Sequence, residues 1–202
     1  MKGRRTVLAA LAGALISVPA FSEPMRAVEG EAIAAYLNSQ EPGERAKKTL
    51  VIVLTTVSAS DPWMSESPDK EGLKRAMPQA TDAVVSDFLR VIASPSALYL
   101  PRPLVHRNLR VQMVSQAAID RIFDDEGGNS SLGLIWRNFY KAYPEAGRLV
   151  HFSRVGIDEQ SSQALFFVSL RYGGLGGQGF YVLLHRRFGM WRVLAIEQAW
   201  IS

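Results

Sequence analysis

The chain has 202 residues, no cysteine and a formal net charge of +4 at pH 7. With 48% hydrophobic and 21% charged residues it is too apolar to stay disordered, and its length suits one domain with a sizeable core. The absence of cysteine excludes disulfides and a thiol nucleophile, so stability has to come from packing.

Lys2, Arg4 and Arg5 precede the apolar run VLAALAGALISV, and Val18-Pro19-Ala20 suits a signal peptidase. Residues 1–20 therefore predict a secretory signal peptide, and Arg4-Arg5-Thr6-Val7-Leu8 also resembles a twin-arginine signal. The apolar run, at ~12 residues, is too short for a membrane span of ~20. The expected location is the periplasm or the medium, with no transmembrane helix after signal removal. Removing those three side chains from a charge of +4 leaves +1, so the basic character belongs to the signal and implies no nucleic-acid partner.

Residues 21–48 read as an N-terminal segment with a short helix over EAIAAYLN (31–38) and a polar link, EPGERAKK. A single α+β domain is expected over 49–202. TLVIVLTTV (49–57) is apolar and β-branched without interruption, which predicts a buried strand. The Pro- and Ser-rich stretch from Ser58 to Gly72 reads as a long loop carrying Trp63. TDAVVSDFLRVIA (81–93) predicts an amphipathic helix capped by Thr81, with Val84, Val85, Phe88, Val91 and Ile92 inward. LRVQMV (109–114) suits a strand. Ser115 caps a helix with Ile119, Ile122 and Phe123 inward, and Leu132–Tyr143 carries an aromatic stripe of core type, closed by Pro144.

From Leu149 to Ile201 four apolar runs of strand length follow one another: LVHFSRVGI, QALFFVSLRY, GFYVLLHRR and MWRVLAIEQAWI. Their connections are too short to cross over, so they predict a four-stranded antiparallel meander. A two-residue turn at Phe188-Gly189 would set Leu184 opposite Val193 and Val182 opposite Ala195. Ala195 and Glu197 would then share the face of Val182, with Tyr181, Leu183, Leu194, Ile196 and Trp200 on the other. Neither face is polar, so both need cover from helices, a subunit or a ligand. The fold class is α+β, with N-terminal helices packed on this sheet. A sheet curled into a cone similar to the nuclear-transport-factor-2-like fold is the alternative.

Gly174 to Gly179 matches G-x-G-x-x-G, but a strand follows it where a dinucleotide site needs a helix. The glycines read instead as positive-φ positions of a wide hairpin connection. His106, His151 and His185 have no ligand spacing, so no metal is expected, and nothing implies a cofactor. Arg154 falls on the side of Val150 and Phe152 and needs a carboxylate if buried. Glu197 lies three strand spacings away, about 14 Å, so Asp158, Glu159 or Asp87 is the simpler partner. Arg186 and Trp191 flank the tight turn and predict a surface cation–π stack.

The C-terminal third resembles a family of uncharacterised exported bacterial proteins. Its pattern runs FY-x-x-YP, SRVGF, QALVYV, CGxLCGxGxYxLL and GxW. The matching residues here are Phe139, Tyr140, Tyr143, Pro144, Ser153 to Ile157, Gln163 to Val168, Gly173, Leu175, Gly177, Gly179 and Trp191. The two family cysteines fall at Tyr172 and Gly176, so this chain cannot pair or bind metal there. The resemblance implies export and fold, and brings no activity. Three functional readings follow. The first is a non-enzymatic module binding an apolar small molecule or a protein partner. The second is a small enzyme with His151, Arg154, Tyr181 and Glu197 lining a pocket in the curled sheet, a ligand-binding set in either case. The third is a homodimer burying the spare face.

Overall fold

The computed structural model describes residues 23–40, 49–64, 67–101, 110–123, 132–160, 162–173 and 176–202, without the side chains of Trp63 and Leu132. The expected signal peptide, His106, Gly174 and Leu175 lie outside these residues, as does the side chain of Trp63. The helices are α1 (Ala27–Ser39), α2 (Lys70–Ala76), α3 (Asp82–Val91), α4 (Gln116–Phe123) and α5 (Leu132–Ala142). The strands are β1 (Thr49–Val53), β2 (Val111–Val114), β3 (Ala146–Phe152), β4 (Gly156–Asp158), β5 (Gln163–Arg171), β6 (Gly177–Arg187) and β7 (Met190–Ile201). They form one seven-stranded mixed sheet in the order β2-β1-β3-β5-β6-β7, with β4 also paired to β5. The class is α+β.

The meander β3-β5-β6-β7 is antiparallel throughout, as the short connections require. β1 is parallel to both β2 and β3. The link from β1 to β2 carries α2 and α3, and the link from β2 to β3 carries α4 and α5, so parallel crossovers are possible there. Helices cover both sides of the sheet. On the first face, Ala32, Ile33, Tyr36 and Leu37 of α1 pack on Val150, Phe152, Phe166, Val168, Val182 and Leu184. On the second, Leu73, Val84, Val85 and Phe88 of α2 and α3 pack on Leu165, Phe167 and Leu183. Ile119, Trp136 and Phe139 of α4 and α5 join Val51, Val53 and Leu149 there.

Local chemistry sets the helix starts. Thr81 Oγ1 accepts from Val84 N at 3.2 Å, and Ser115 Oγ from Ala118 N at 3.2 Å. Asp69 Oδ1 accepts from Gly72 N at 2.8 Å and starts α2, inside the stretch read as loop. A helix of only seven residues has too short a periodic run to stand out from the prolines and charges before it.

Three bulges change which residues share a face. β3 and β4 both pair with β5, and Ser153–Val155 form the extra-residue step between them. Ser153 repairs the ladder there. Its N–H donates to Phe167 O at 2.9 Å, and its Oγ accepts from Phe167 N at 2.8 Å. In β7, Leu184 faces Val193 as expected, but Leu183 faces Ala195 and Val182 faces Ile196. Leu194 is the inserted residue. It moves Ala195 and Glu197 to the face of Leu183 and Tyr181 and Ile196 to that of Val182, against the expectation from simple alternation. A further shift between Gln198 and Trp200 returns Trp200 to the face of Tyr181 as expected.

Gly156 lies under α3. A Cβ there would come within 2.4 Å of Phe88 N and 2.5 Å of Phe88 Cα. These are backbone atoms of a packed helix and cannot yield as a side-chain end can. Gly156→Ala should cost about 1–3 kcal/mol through overpacking. Denaturant unfolding of the two chains, at unchanged m-value, checks this.

Candidate functional site

Arg154 is 1% exposed and Glu29, on α1, is fully buried. The bulge and α1 bring them together as a two-pronged pair. Arg154 Nε donates to Glu29 Oε2 at 2.9 Å, and its terminal nitrogen Nη2 to Oε1 at 2.7 Å. Val155 N adds a third donor to Oε2 at 3.0 Å. Arg26 adds its backbone N and its Nε, both 3.1 Å from Oε1. Arg26 also reaches Asp87 Oδ2 at 2.9 Å, which in turn accepts from Ile157 N at 2.8 Å. Arg90 completes the chain to Asp87 Oδ1 at 2.7 Å and to Glu23 Oε2 at 3.1 Å. The network joins α1, α3 and the β3–β4 bulge.

Burial alone would raise the Glu29 carboxyl, but hydrogen bonds from Arg154, Val155 and Arg26 hold it below the ordinary range. Asp87 behaves alike: burial opposes, while Ile157 N, Arg90 and Arg26 outweigh it. The buried-pair reading of Arg154 therefore holds, with a partner other than the three expected. Asp87 enters the network one residue removed, through Arg26. The sequence signal for Glu29 is an acid in the first turn of an apolar helix that begins four residues before the expected start.

The second face carries a polar seam between the α2–α3 and α4–α5 cores. Strand register lines up His151, Ser169, Gly179 and Trp200 across β3, β5, β6 and β7. Arg171 stands two residues along β5 from Ser169, and its guanidinium lies 5.0 Å from the Trp200 ring centroid. Gly177 and Gly179 make room for that indole: a Cβ at Gly179 would come within 2.2 Å of Trp200 Nε1. These two glycines serve close approach inside β6, and among the described residues of the connection Gly173 has the expected positive φ, at 85°. Burial lowers Arg171, with the Asp61 carboxylate opposing. Burial also pushes His151 down to about 3, assisted by the positive charge of Arg171. Its imidazole is neutral at physiological pH.

The four candidate residues do not converge. Arg154 serves α1 on the first face, and His151 is sealed on the second. Tyr181 is half-buried on the second face, its ring edge-on to Phe88 at 6.1 Å and Phe167 at 5.5 Å. Glu197 is exposed and paired with Tyr181 across β6 and β7. Arg186 stacks on Trp191 as expected, 5.6 Å from the ring centroid. Among the described residues no cluster of His, Asp or Glu could hold a metal ion, and no helix is long and apolar enough to cross a membrane. No family model, curated protein or solved structure matches the chain.

Removing one partner of the buried pair leaves an uncompensated charge. Glu29→Gln should destabilise by about 3–5 kcal/mol, and Glu29→Gln with Arg154→Met should recover part of that loss. A double-mutant cycle by denaturant unfolding checks it.

His151 gives the opposite kind of test. Its folded pKa of about 3 lies below the unfolded value of about 6.5, so the unfolded chain takes up the proton first. Its contribution is fully present above pH 6.5 and is lost as pH falls toward 3, amounting to about 2 kcal/mol by pH 5. His151→Gln should flatten the stability–pH curve between pH 6.5 and 5, as read from urea midpoints at each pH.

Proposed function

We propose that the chain is an exported, non-enzymatic binding module whose recognition surface is the outer strand β7 with its hairpin end. One observation carries the reading. Met190, Leu194, Ile196 and Ile201 are 54%, 47%, 44% and 63% exposed along one sheet edge, with Phe188 98% exposed at its hairpin end. No strand pairs with the outer side of β7 among the described residues. An edge of twelve residues with so much apolar surface is an incomplete one. An apolar small molecule, a protein partner or a second copy would complete it.

Export is supported by the basic and apolar pattern of residues 1–20 and by the resemblance of the C-terminal third to exported proteins. The acid–base enzyme is the weaker reading. Its arginine is consumed by Glu29, its histidine is neutral and sealed, and its carboxylate stands in solvent.

Native mass spectrometry of the chain purified from its own export compartment tests the proposal. A noncovalently bound small molecule, polypeptide or second copy is expected, and it should be lost from the Leu194→Glu, Ile196→Glu variant. A monomer with nothing bound, indistinguishable from the variant, overturns it.

A further inference from the structure

We infer that the tip of the β6–β7 hairpin is a docking point for an anionic lipid surface. This deepens the reading above, on which it rests, by naming the partner of the hairpin's end.

Phe188 carries the argument. It is 98% exposed, so its ring contributes nothing to the core. Its φ is 50°, followed by 76° at Gly189, so both central residues of the turn are left-handed. Such a turn favours Asn, Asp or Gly at the first position, and an aromatic residue there is strained. Neither packing nor backbone preference explains a phenylalanine at this point. A contact outside the molecule does.

The surroundings say what kind of contact. Met190, 54% exposed, stands beside the turn, opposite Arg187. Arg186 pairs with Trp191 and His185 with Arg192, so three arginines stand within three residues of the turn on its two strands. Arg186 and Arg187 alternate to opposite sides of the ribbon, so charge flanks the ring on both. Arg186 also ties the turn together, donating from Nε to Gly189 O at 3.3 Å. Its carboxylate neighbour is Glu31 on α1, at 3.8 Å, with both side chains open to solvent. Arg187 and Arg192 have no ion-pair partner among the described residues.

The dimensions fit end-on docking. Each strand residue rises about 3.3 Å, so Arg192 sits about 7–10 Å behind the Phe188 ring. With Phe188 and Met190 at the acyl boundary, the guanidinium groups reach the phosphate layer, about 5–10 Å out. Arginine forks match phosphate, and exposed aromatic and thioether groups match the apolar layer beneath it.

The test is co-sedimentation with vesicles, using the chain as its host exports it, so that every variant has the same N-terminus. Vesicles of phosphatidylcholine with phosphatidylglycerol should bind it about tenfold better than phosphatidylcholine alone, and salt should weaken the binding. Phe188→Gly should lose about tenfold in affinity while its unfolding midpoint stays or rises, since glycine suits the left-handed turn. Arg187→Glu with Arg192→Glu should abolish the preference for anionic vesicles. Equal binding to neutral vesicles, or unchanged binding by Phe188→Gly, overturns the inference. If Phe188→Gly instead loses a polypeptide seen by native mass spectrometry, with no vesicle binding, the tip is a protein contact; the lipid inference fails and the binding-module reading stands. If neither vesicles nor any bound partner respond to changes at the tip or along β7, both fall.

Discussion

The ion pair between Glu29 and Arg154 is the constraint around which the rest is arranged. Both groups are out of water, so each is tolerable only with the other in place. The pair fixes where α1 lies on the sheet and how the chain turns between β3 and β4. Arg26 and Asp87 extend it to α3 on the far side of the bulge. Replacing it with apolar residues would remove a desolvation cost, yet it would also remove five directed hydrogen bonds to one carboxylate. Those bonds specify one docking geometry for a helix that otherwise meets the sheet through the apolar contacts of Ala32, Ile33, Tyr36 and Leu37.

This arrangement changes the meaning of the residues that look catalytic. A cation in the core is a functional suspect only until its partner is known, and Arg154 has one that saturates it. His151 has been driven to its neutral form by burial beside Arg171, which suits a polar spacer between two helical cores. Apolar side chains remain outward beside the polar ones: the ring of Phe188, and Met190, Leu194, Ile196 and Ile201 along β7.

The bulges at Ser153–Val155 and at Leu194 act through the same geometry. The extra residue at Ser153–Val155 leaves Arg154 on the side of α1 and brings Val155 and Ile157 to that side as well, while the Ser153 hydroxyl closes the gap in the ladder. The extra residue at Leu194 sends Ala195 and Glu197 to the second face and leaves Leu194 itself outward. Bulges that twist an edge strand commonly discourage unwanted pairing, so β7 combines an inviting apolar surface with an irregular backbone.

Much of this was legible from the residues alone. The uninterrupted apolar runs and short connections determined the antiparallel meander, because a short link has no other way to join two strands. The stripe of Val84, Val85, Phe88, Val91 and Ile92 determined α3, and the lack of a polar face on the sheet required cover on both sides. The Phe188-Gly189 turn and the Arg186–Trp191 stack followed from local chemistry. Three things were decided only by the tertiary structure. The partner of Arg154 lies 125 residues away on a helix, and no local rule reaches that far. The parallel placing of β1 depends on where two helical crossovers come to rest. The facing of Ala195 and Glu197 depends on a one-residue insertion that period-two alternation cannot register, because a bulge preserves the pattern of residue types while shifting which side each one meets.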